Sequence, residues 1–317
     1  MRLLKLVPQN TKIPFIEMRK VAYGLSLLMI IASIWLYFDR GLNFGIDFKG
    51  GFLIEAHTEG PADIGKIRSL TKGLGLGDVA VQTFGAENEI LIRLEYQKDK
   101  PLNEVVALVQ STLKNGIDAE ISFKRTESVG PKVSGELIQD GFMSVLMAIG
   151  AVLLYIWIRF EWQFGLGAVI ALFHDVILTV GMFSLTQLEF NLSIIAAILT
   201  IVGYSLNDTV VVYDRIRENL RKYRKKELPD LFNHSLNETL TRTVMTSLTT
   251  LIALSSLFFF GGEVVHGFTA AMIWGIFVGT YSSIFIATPV LMWFGLRREV
   301  PEEGKEGQEV LPPQYHS

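Results

Sequence analysis

The 317-residue chain has no cysteine, which excludes disulfides, thiolate nucleophiles and cysteine-ligated metals. It also has no P-loop. The glycine-rich run GLGLGD (73–78) is followed by no Lys-Ser/Thr pair to hold phosphate, so it reads as a helix stop and turn. Any work the protein does is not driven by its own ATP hydrolysis. Charge is scarce as well. Asp, Glu, Lys and Arg make up 19% of the residues, below the roughly 25% of soluble domains. The scarcity is concentrated in six stretches that carry almost no charge: Val21–Phe38, Gly141–Ile158, Phe164–Leu185, Leu192–Tyr213, Thr243–Phe260 and Phe268–Phe294. About 20 apolar residues cross a hydrocarbon core of about 30 Å, so these predict six transmembrane helices. The first has a basic lead-in, but its exit, WLYFDR, offers no small-residue cleavage site. It is expected to be a retained anchor.

Lys and Arg are absent from two short loops, TQLEFN and GGEVVHG, and plentiful at the opposite helix ends. Arg2, Lys5, Lys12, Arg19 and Lys20 precede helix one. Arg159 follows helix two, Arg215 to Lys226 follow helix four, and Arg297 and Arg298 follow helix six. The positive-inside rule then places both termini in the cytoplasm and the region between helices one and two outside. The basic run after helix four is a juxtamembrane loop on this reading; no nucleic acid is expected as a partner. The expected layout is a cytoplasmic N-terminus (1–20), helix one (21–38), an outer domain (39–135) and helices two to six (136–296). A basic cytoplasmic segment (214–236) interrupts the last group, and a cytoplasmic tail (297–317) ends the chain.

The outer domain reads as soluble. FLIEAHT (52–58), VAVQTF (79–84), EILIRLE (89–95) and AEISFKRTESVG have strand character. PADIGKIRSLTKGLG and PLNEVVALVQSTLKNG open with proline and close on glycine or Asn-Gly, as helices do. The order β-α-β-β-α-β is the ferredoxin-like pattern. It says nothing specific about function. His57 stands alone, and no cofactor, metal or catalytic residue is expected.

The chemistry lies in the polar groups at membrane depth, where ionised side chains are costly and usually face a partner or water. Asp208 falls in the cytoplasmic third of helix four, Arg242 in the same third of helix five, and Asp175, beside His174, near the middle of helix three. Thr200, Gly203, Tyr204, Asn207 and Asp208 follow three- and four-residue spacings, which predicts one shared face. Thr239, Arg242, Thr243, Thr246, Thr249 and Thr250 form a hydroxyl-rich stripe on helix five. Asn207, Thr246 and Ser205 extend a candidate polar path, although intrahelical hydroxyl-to-carbonyl bonds account equally well for the threonines. Ala271, Gly275, Gly279, Ser283 and Ala287 recur every four residues on helix six, as close helix packing requires. Asp208 and Arg242 are placed to form either a static ion pair or a protonatable switch. An aspartyl-protease dyad of Asp175 and Asp208 is disfavoured, because their depths differ and no Gly-x-Gly-Asp context is present.

These residues also carry a resemblance. GLNFGIDFKGG (41–51), VGPKVSGELIQDG, RFEWQFGLGAVIALFHDVILTVGMFSL, EFNLSIIAAILTIVGYSLNDTVVVYDRIRENLR and SLNETLTRTVMTSLTT are similar to the signatures of SecF in the SecD/SecF family of protein-export membrane subunits. The resemblance covers roughly residues 41–293, in order. It implies an α-helical membrane protein with six transmembrane helices and a ferredoxin-like α+β periplasmic domain. It further implies a non-enzymatic accessory subunit in the bacterial inner membrane, resembling half of a resistance-nodulation-division transporter. Such a subunit pairs with SecD and uses proton flow in late-stage preprotein translocation. Its implied partners are SecD, the SecY, SecE and SecG translocon, YajC, YidC, unfolded preprotein and membrane lipid. Asp208 maps onto the family's proton-path aspartate, Arg242 onto its arginine, and Asp175 onto the HDV aspartate of the relay. Gly45, Asp47, Gly50 and Gly51, in the opening signature, are read as a structural hinge or turn.

Overall fold

The structure is a computed structural model. It describes residues 11–97, 100–117, 120–294 and 296. The segments 1–10 and 297–317, with Arg2, Lys5, Arg297 and Arg298, lie outside the described residues. Six helices are long and apolar enough to cross a membrane. They are α1 (Arg19–Arg40), α5 (Pro131–Arg159), α6 (Trp162–Thr186), α7 (Leu192–Lys222), α8 (Leu228–Phe260) and α9 (Glu263–Ser282). The last continues through a π-helical turn (Ser283–Ala287) into α10 (Thr288–Val290). Pro289 has no N–H to donate, so α-helical bonding cannot pass through it. The Thr288 hydroxyl instead donates to the Ser283 carbonyl at 2.9 Å, five residues back, as the wider turn allows.

Between α1 and α5 come α2 (Ile46–Lys49), β1 (Gly51–His57), α3 (Ile64–Lys72), β2 (Val79–Phe84), β3 (Ala86–Leu94), α4 (Leu102–Gly116) and β4 (Ser122–Val129). The sheet order is β2-β3-β1-β4, antiparallel throughout. This is the ferredoxin-like arrangement. Strand β3 begins three residues earlier than its alternation suggests, at Ala86. Gly85, at a φ of 85°, makes the preceding reversal tight enough for pairing to resume at once. One sheet face, with Phe52, Ile54, Ile90 and Ile92, buries Ile67 of α3 and Val105, Val109 and Leu113 of α4. On the other face, Leu53 and Leu91 are covered by Ile46 of α2.

Within the bundle α6, α7 and α9 are central, whereas α1, α5 and α8 are exposed along most of their apolar length. Hydrophobic burial cannot drive helix association where the solvent is itself apolar, so small residues and hydrogen bonds set the contacts. A Cβ on Gly275 would overlap Ile201, and one on Gly279 would lie 3.0 Å from Cβ of Ser205. The small-residue stripe of the last helix is thus the seam between α9 and α7. Gly181 does the same for α1, because any side chain there would strike Ser33.

Candidate functional site

The seam of α6, α7 and α9 holds a polar cluster centred on Asp175, which is fully buried. Its Oδ2 accepts from the Ser205 hydroxyl at 2.6 Å and the Ser282 hydroxyl at 2.8 Å. Its Oδ1 lies 3.0 Å from Nδ1 of the adjacent, buried His174. One carboxylate therefore ties three helices together. Thr209 and Ser283 share a 2.8 Å hydroxyl contact, and the Ser283 hydroxyl donates to the carbonyls of Gly279 and Ser205. The π-helical turn starts at Ser283, so the backbone irregularity sits against the cluster, as such turns often do at functional sites. The His174 ring stacks at 6.0 Å on Tyr281. Tyr281 in turn donates to the Ala22 carbonyl and meets the Ser26 hydroxyl, bringing in α1. The Nε2 of His174 is buried without a hydrogen-bond partner.

Asp208 lies three residues, about one turn, beyond Ser205 and is also buried. Among the described residues its carboxylate has no hydrogen bond and no ion pair. Arg242 lies near enough to act on it electrostatically, but the two do not close into a bridge, and Arg242 is exposed on the outside of α8. Asn207 is exposed as well, with Thr200 and Gly203. The single polar face expected of α7 is therefore two faces. Ser205, Asp208 and Thr209 turn inward, because α6 and α9 pack on that side; Thr200, Gly203 and Asn207 turn outward. Tyr204 pairs with Thr250 of α8. The Thr246 hydroxyl donates to the carbonyls of Arg242 and Thr243, within its own helix. Among the described residues no three His, Asp or Glu side chains converge as a metal site.

A second constellation joins the sheet domain to the bundle. Gly45 caps α2, and its N–H donates to the Phe190 carbonyl at 2.9 Å. A side chain at Gly45 would crowd Glu189 and Asn191. Asp47 accepts the N–H of Leu192, the first residue of α7, at 2.8 Å. A carboxylate there satisfies an orphan donor and complements the helix dipole. Gly50 and Gly51, at φ of 71° and 132°, turn the chain into β1. Arg93 of β3 bonds Asn43 and pairs with Glu189 at 3.1 Å, both side chains mostly buried. Burial pushes the Glu189 carboxyl up; the Arg93 guanidinium opposes this, and Asp47 and Glu127 add to it.

Sequence reasoning found Asp175, Asp208 and Ser205 but missed Ser282, Thr209, Tyr281 and the Arg93–Glu189 tie. One signal was available for the first: GTYSS interrupts an apolar helix with adjacent hydroxyls. Glu189 gave a second, as an acid flanked by Leu188 and Phe190 in a loop with no Lys or Arg.

Two family models match the chain. One, "Protein export membrane protein SecD/SecF, C-terminal", matches residues 108–297, and the other, "SecD/SecF GG Motif", residues 38–62. Similar proteins include the protein translocase subunit SecF of Rickettsia bellii, 46% identical over 93% of this chain and 97% of that protein. That of Rhodobacter capsulatus is also 46% identical, over 93% of this chain and 92% of that one. Among solved structures, SecDF of Thermus thermophilus, described as a translocon-associated membrane protein, superposes with a TM-score of 0.82. It is 35% identical over 91% of this chain, which covers 39% of that longer chain. SecDF in a super-membrane-facing form superposes with a TM-score of 0.68 at 36% identity, over 92% of this chain and 40% of that one.

Proposed function

The chain belongs to the SecD/SecF family of protein-export membrane proteins, and on that premise we propose that it couples proton flow to late-stage preprotein translocation. The observation that carries this reading is the fully buried Asp175 carboxylate, held by groups from three helices, with a second buried carboxylate, Asp208, one turn beyond its partner Ser205. An ionised Asp175 accepts from both Ser205 and Ser282 at a single oxygen. A proton on that oxygen makes it a donor, so one of the two hydroxyls must switch to accepting and its own proton must find another acceptor. Proton binding thereby changes which packing of α6, α7 and α9 is best satisfied. Asp208, buried without a closed ion pair, is the group through which a proton enters from the side opposite the sheet domain. The subunit acts on conformation and needs no covalent chemistry of its own.

The exposed Arg242 and Asn207 require a partner, because a bare guanidinium facing hydrocarbon is strongly unfavourable. SecD is the partner on that face, and SecY, SecE, SecG, YajC and YidC complete the assembly that passes an unfolded preprotein. The bundle sits in the inner membrane with the sheet domain in the periplasm and both termini in the cytoplasm. Asp208→Asn tests the reading. The variant should assemble at the wild-type level and lose the proton-motive-force-dependent stage of export; export at the normal rate would refute proton coupling. Recovery of export with alanine at both Asp208 and Arg242 would favour a structural scaffold instead.

A further inference from the structure

The end of the bundle farthest from the sheet domain carries an open cavity of about 510 Å³, lined by Arg159, Asp214, Arg217, Glu218, Arg221 and Lys222. Its charges are unequally paired. Arg159 bridges Asp214 at 2.9 Å, and Glu218 is taken by Arg215, also at 2.9 Å. Arg217 donates to the Arg159 carbonyl, which fixes it at the mouth of the cavity. Among the described residues, Arg217, Arg221 and Lys222 have no carboxylate in ion-pair contact. Three cations thus converge on one hollow with their counter-charges engaged elsewhere.

The level of the cavity along the bundle is set by its neighbours. Trp157 and Ile158, in the last turn of α5, are 69% and 79% exposed, and Trp162, opening α6, is 56% exposed. Large apolar and indole side chains left open at a helix end mark the boundary between hydrocarbon and headgroups. Arg159 lies between them. Arg217 and Arg221 are one helical turn apart, about 6 Å along the axis. That rise matches a headgroup layer roughly 5–8 Å deep on each side of the core. Because Arg159 lies between these apolar and indole side chains and also lines the cavity, the cavity opens at that boundary.

We propose that this cavity binds the headgroup of an anionic phospholipid, with Arg217, Arg221 and Lys222 holding the phosphate and Trp157 and Trp162 flanking the acyl boundary. A forked guanidinium suits a phosphate better than a point charge does, and two of the three cations are arginine. The site lies outside the polar seam of the bundle and does not depend on the proton-coupling reading.

The test uses the purified full chain in neutral detergent, titrated with phosphatidylglycerol or phosphatidylcholine and read by native mass spectrometry. Wild type should prefer phosphatidylglycerol by about tenfold or more. Arg217→Gln, Arg221→Gln and Lys222→Gln together should remove that preference without changing the melting temperature, and Arg221→Gln alone should lower it in part. A control that neutralises Arg224, Lys225 and Lys226 should keep it. The proposal fails if the first triple variant retains the preference, or if both triple variants lose it equally, which would mean a diffuse charge effect. It also fails if millimolar inorganic phosphate displaces the lipid, since the cavity would then hold free phosphate. Loss of a co-purifying partner subunit at unchanged lipid binding would make the surface a protein interface and overturn the proposal as well.

Discussion

The sheet domain and the bundle both bury apolar clusters, but only the bundle sets a buried polar seam at its centre. Beneath the sheet, Phe52, Ile54, Ile67, Ile90, Ile92, Val105, Val109 and Leu113 pack with no charged side chain among them. At the centre of the bundle stand Asp175, His174, Ser205, Thr209, Ser282 and Ser283, all buried, while Leu28, Phe38, Trp157 and Phe260 face outward. In water, removing apolar surface supplies the driving force for folding. In lipid that force is absent between helices, so packing and interhelical hydrogen bonds take over, and a polar centre becomes a way to specify which helices meet. The soluble core is chosen for stability. The bundle core keeps polar groups whose hydrogen bonds specify which helices meet.

The comparison can be broken at its strongest point first. Asp175→Leu should strand the donors on Ser205 and His174 and part of the Ser282 bonding. The expected cost is on the order of 4 kcal/mol, read as a lowered melting temperature in detergent together with loss of export. Asp175→Asn should lose export with a much smaller drop in stability. A leucine variant as stable as wild type would mean that the polar centre does not hold the helices.

Ile54→Ala attacks the other core and should destabilise the sheet domain by about 3 kcal/mol. Limited proteolysis should cut that domain while the bundle remains intact. If the bundle unfolds with it, the two cores are not separable.

The smallest effect belongs to the junction between them. Burial raises the Glu189 carboxyl while Arg93 opposes the rise, so the docked junction takes up a proton more readily than a solvated one would. Docking should therefore strengthen as the pH falls and weaken as it rises through the raised value. Spin labels on Gln82→Cys and Ser193→Cys, which both line the cleft of about 500 Å³ beside Glu189, report the separation; the lack of native cysteine leaves no background. The distance should narrow modestly on acidification, and Glu189→Gln should abolish the response. Widening on acidification would reverse the sign. Asp47 on α2, Glu55 on β1, Arg125 and Glu127 on β4, and His266 line the same cleft, and Arg93, Asp47, Glu127 and Arg125 set the field in which Glu189 titrates.

Much of the fold is legible along the chain because its signals are local. A run of about twenty apolar residues is long enough to cross a membrane as a helix, and strand alternation with proline and glycine punctuation marks the β-α-β-β-α-β order. The site is less legible. Asp175 and Asp208 stand out because a carboxylate inside an apolar run is costly, and that cost can be read one residue at a time. Ser282 stands out less: GTYSS marks adjacent hydroxyls, but a serine in a membrane helix commonly satisfies itself on its own backbone. The face of α7 was misread for a similar reason: spacing groups Asn207 with Asp208, but it cannot say on which side a neighbouring helix lies.

The sequence alone therefore marks the six spans, the ferredoxin-like insert and the two carboxylates inside apolar runs, which follow from residue type and short-range periodicity; the family is carried by its motifs. Tertiary structure alone decides that Asp175, from α6, meets Ser205 and Ser282, from α7 and α9, that Arg242 stays outside without closing on Asp208, and that Asp47 caps a helix 145 residues away. The physical reason is the short reach of a hydrogen bond. A bond effective only near 3 Å depends on where whole helices come to rest, and in this bundle that is fixed by the fit of Gly275 against Ile201 and Gly279 against Ser205.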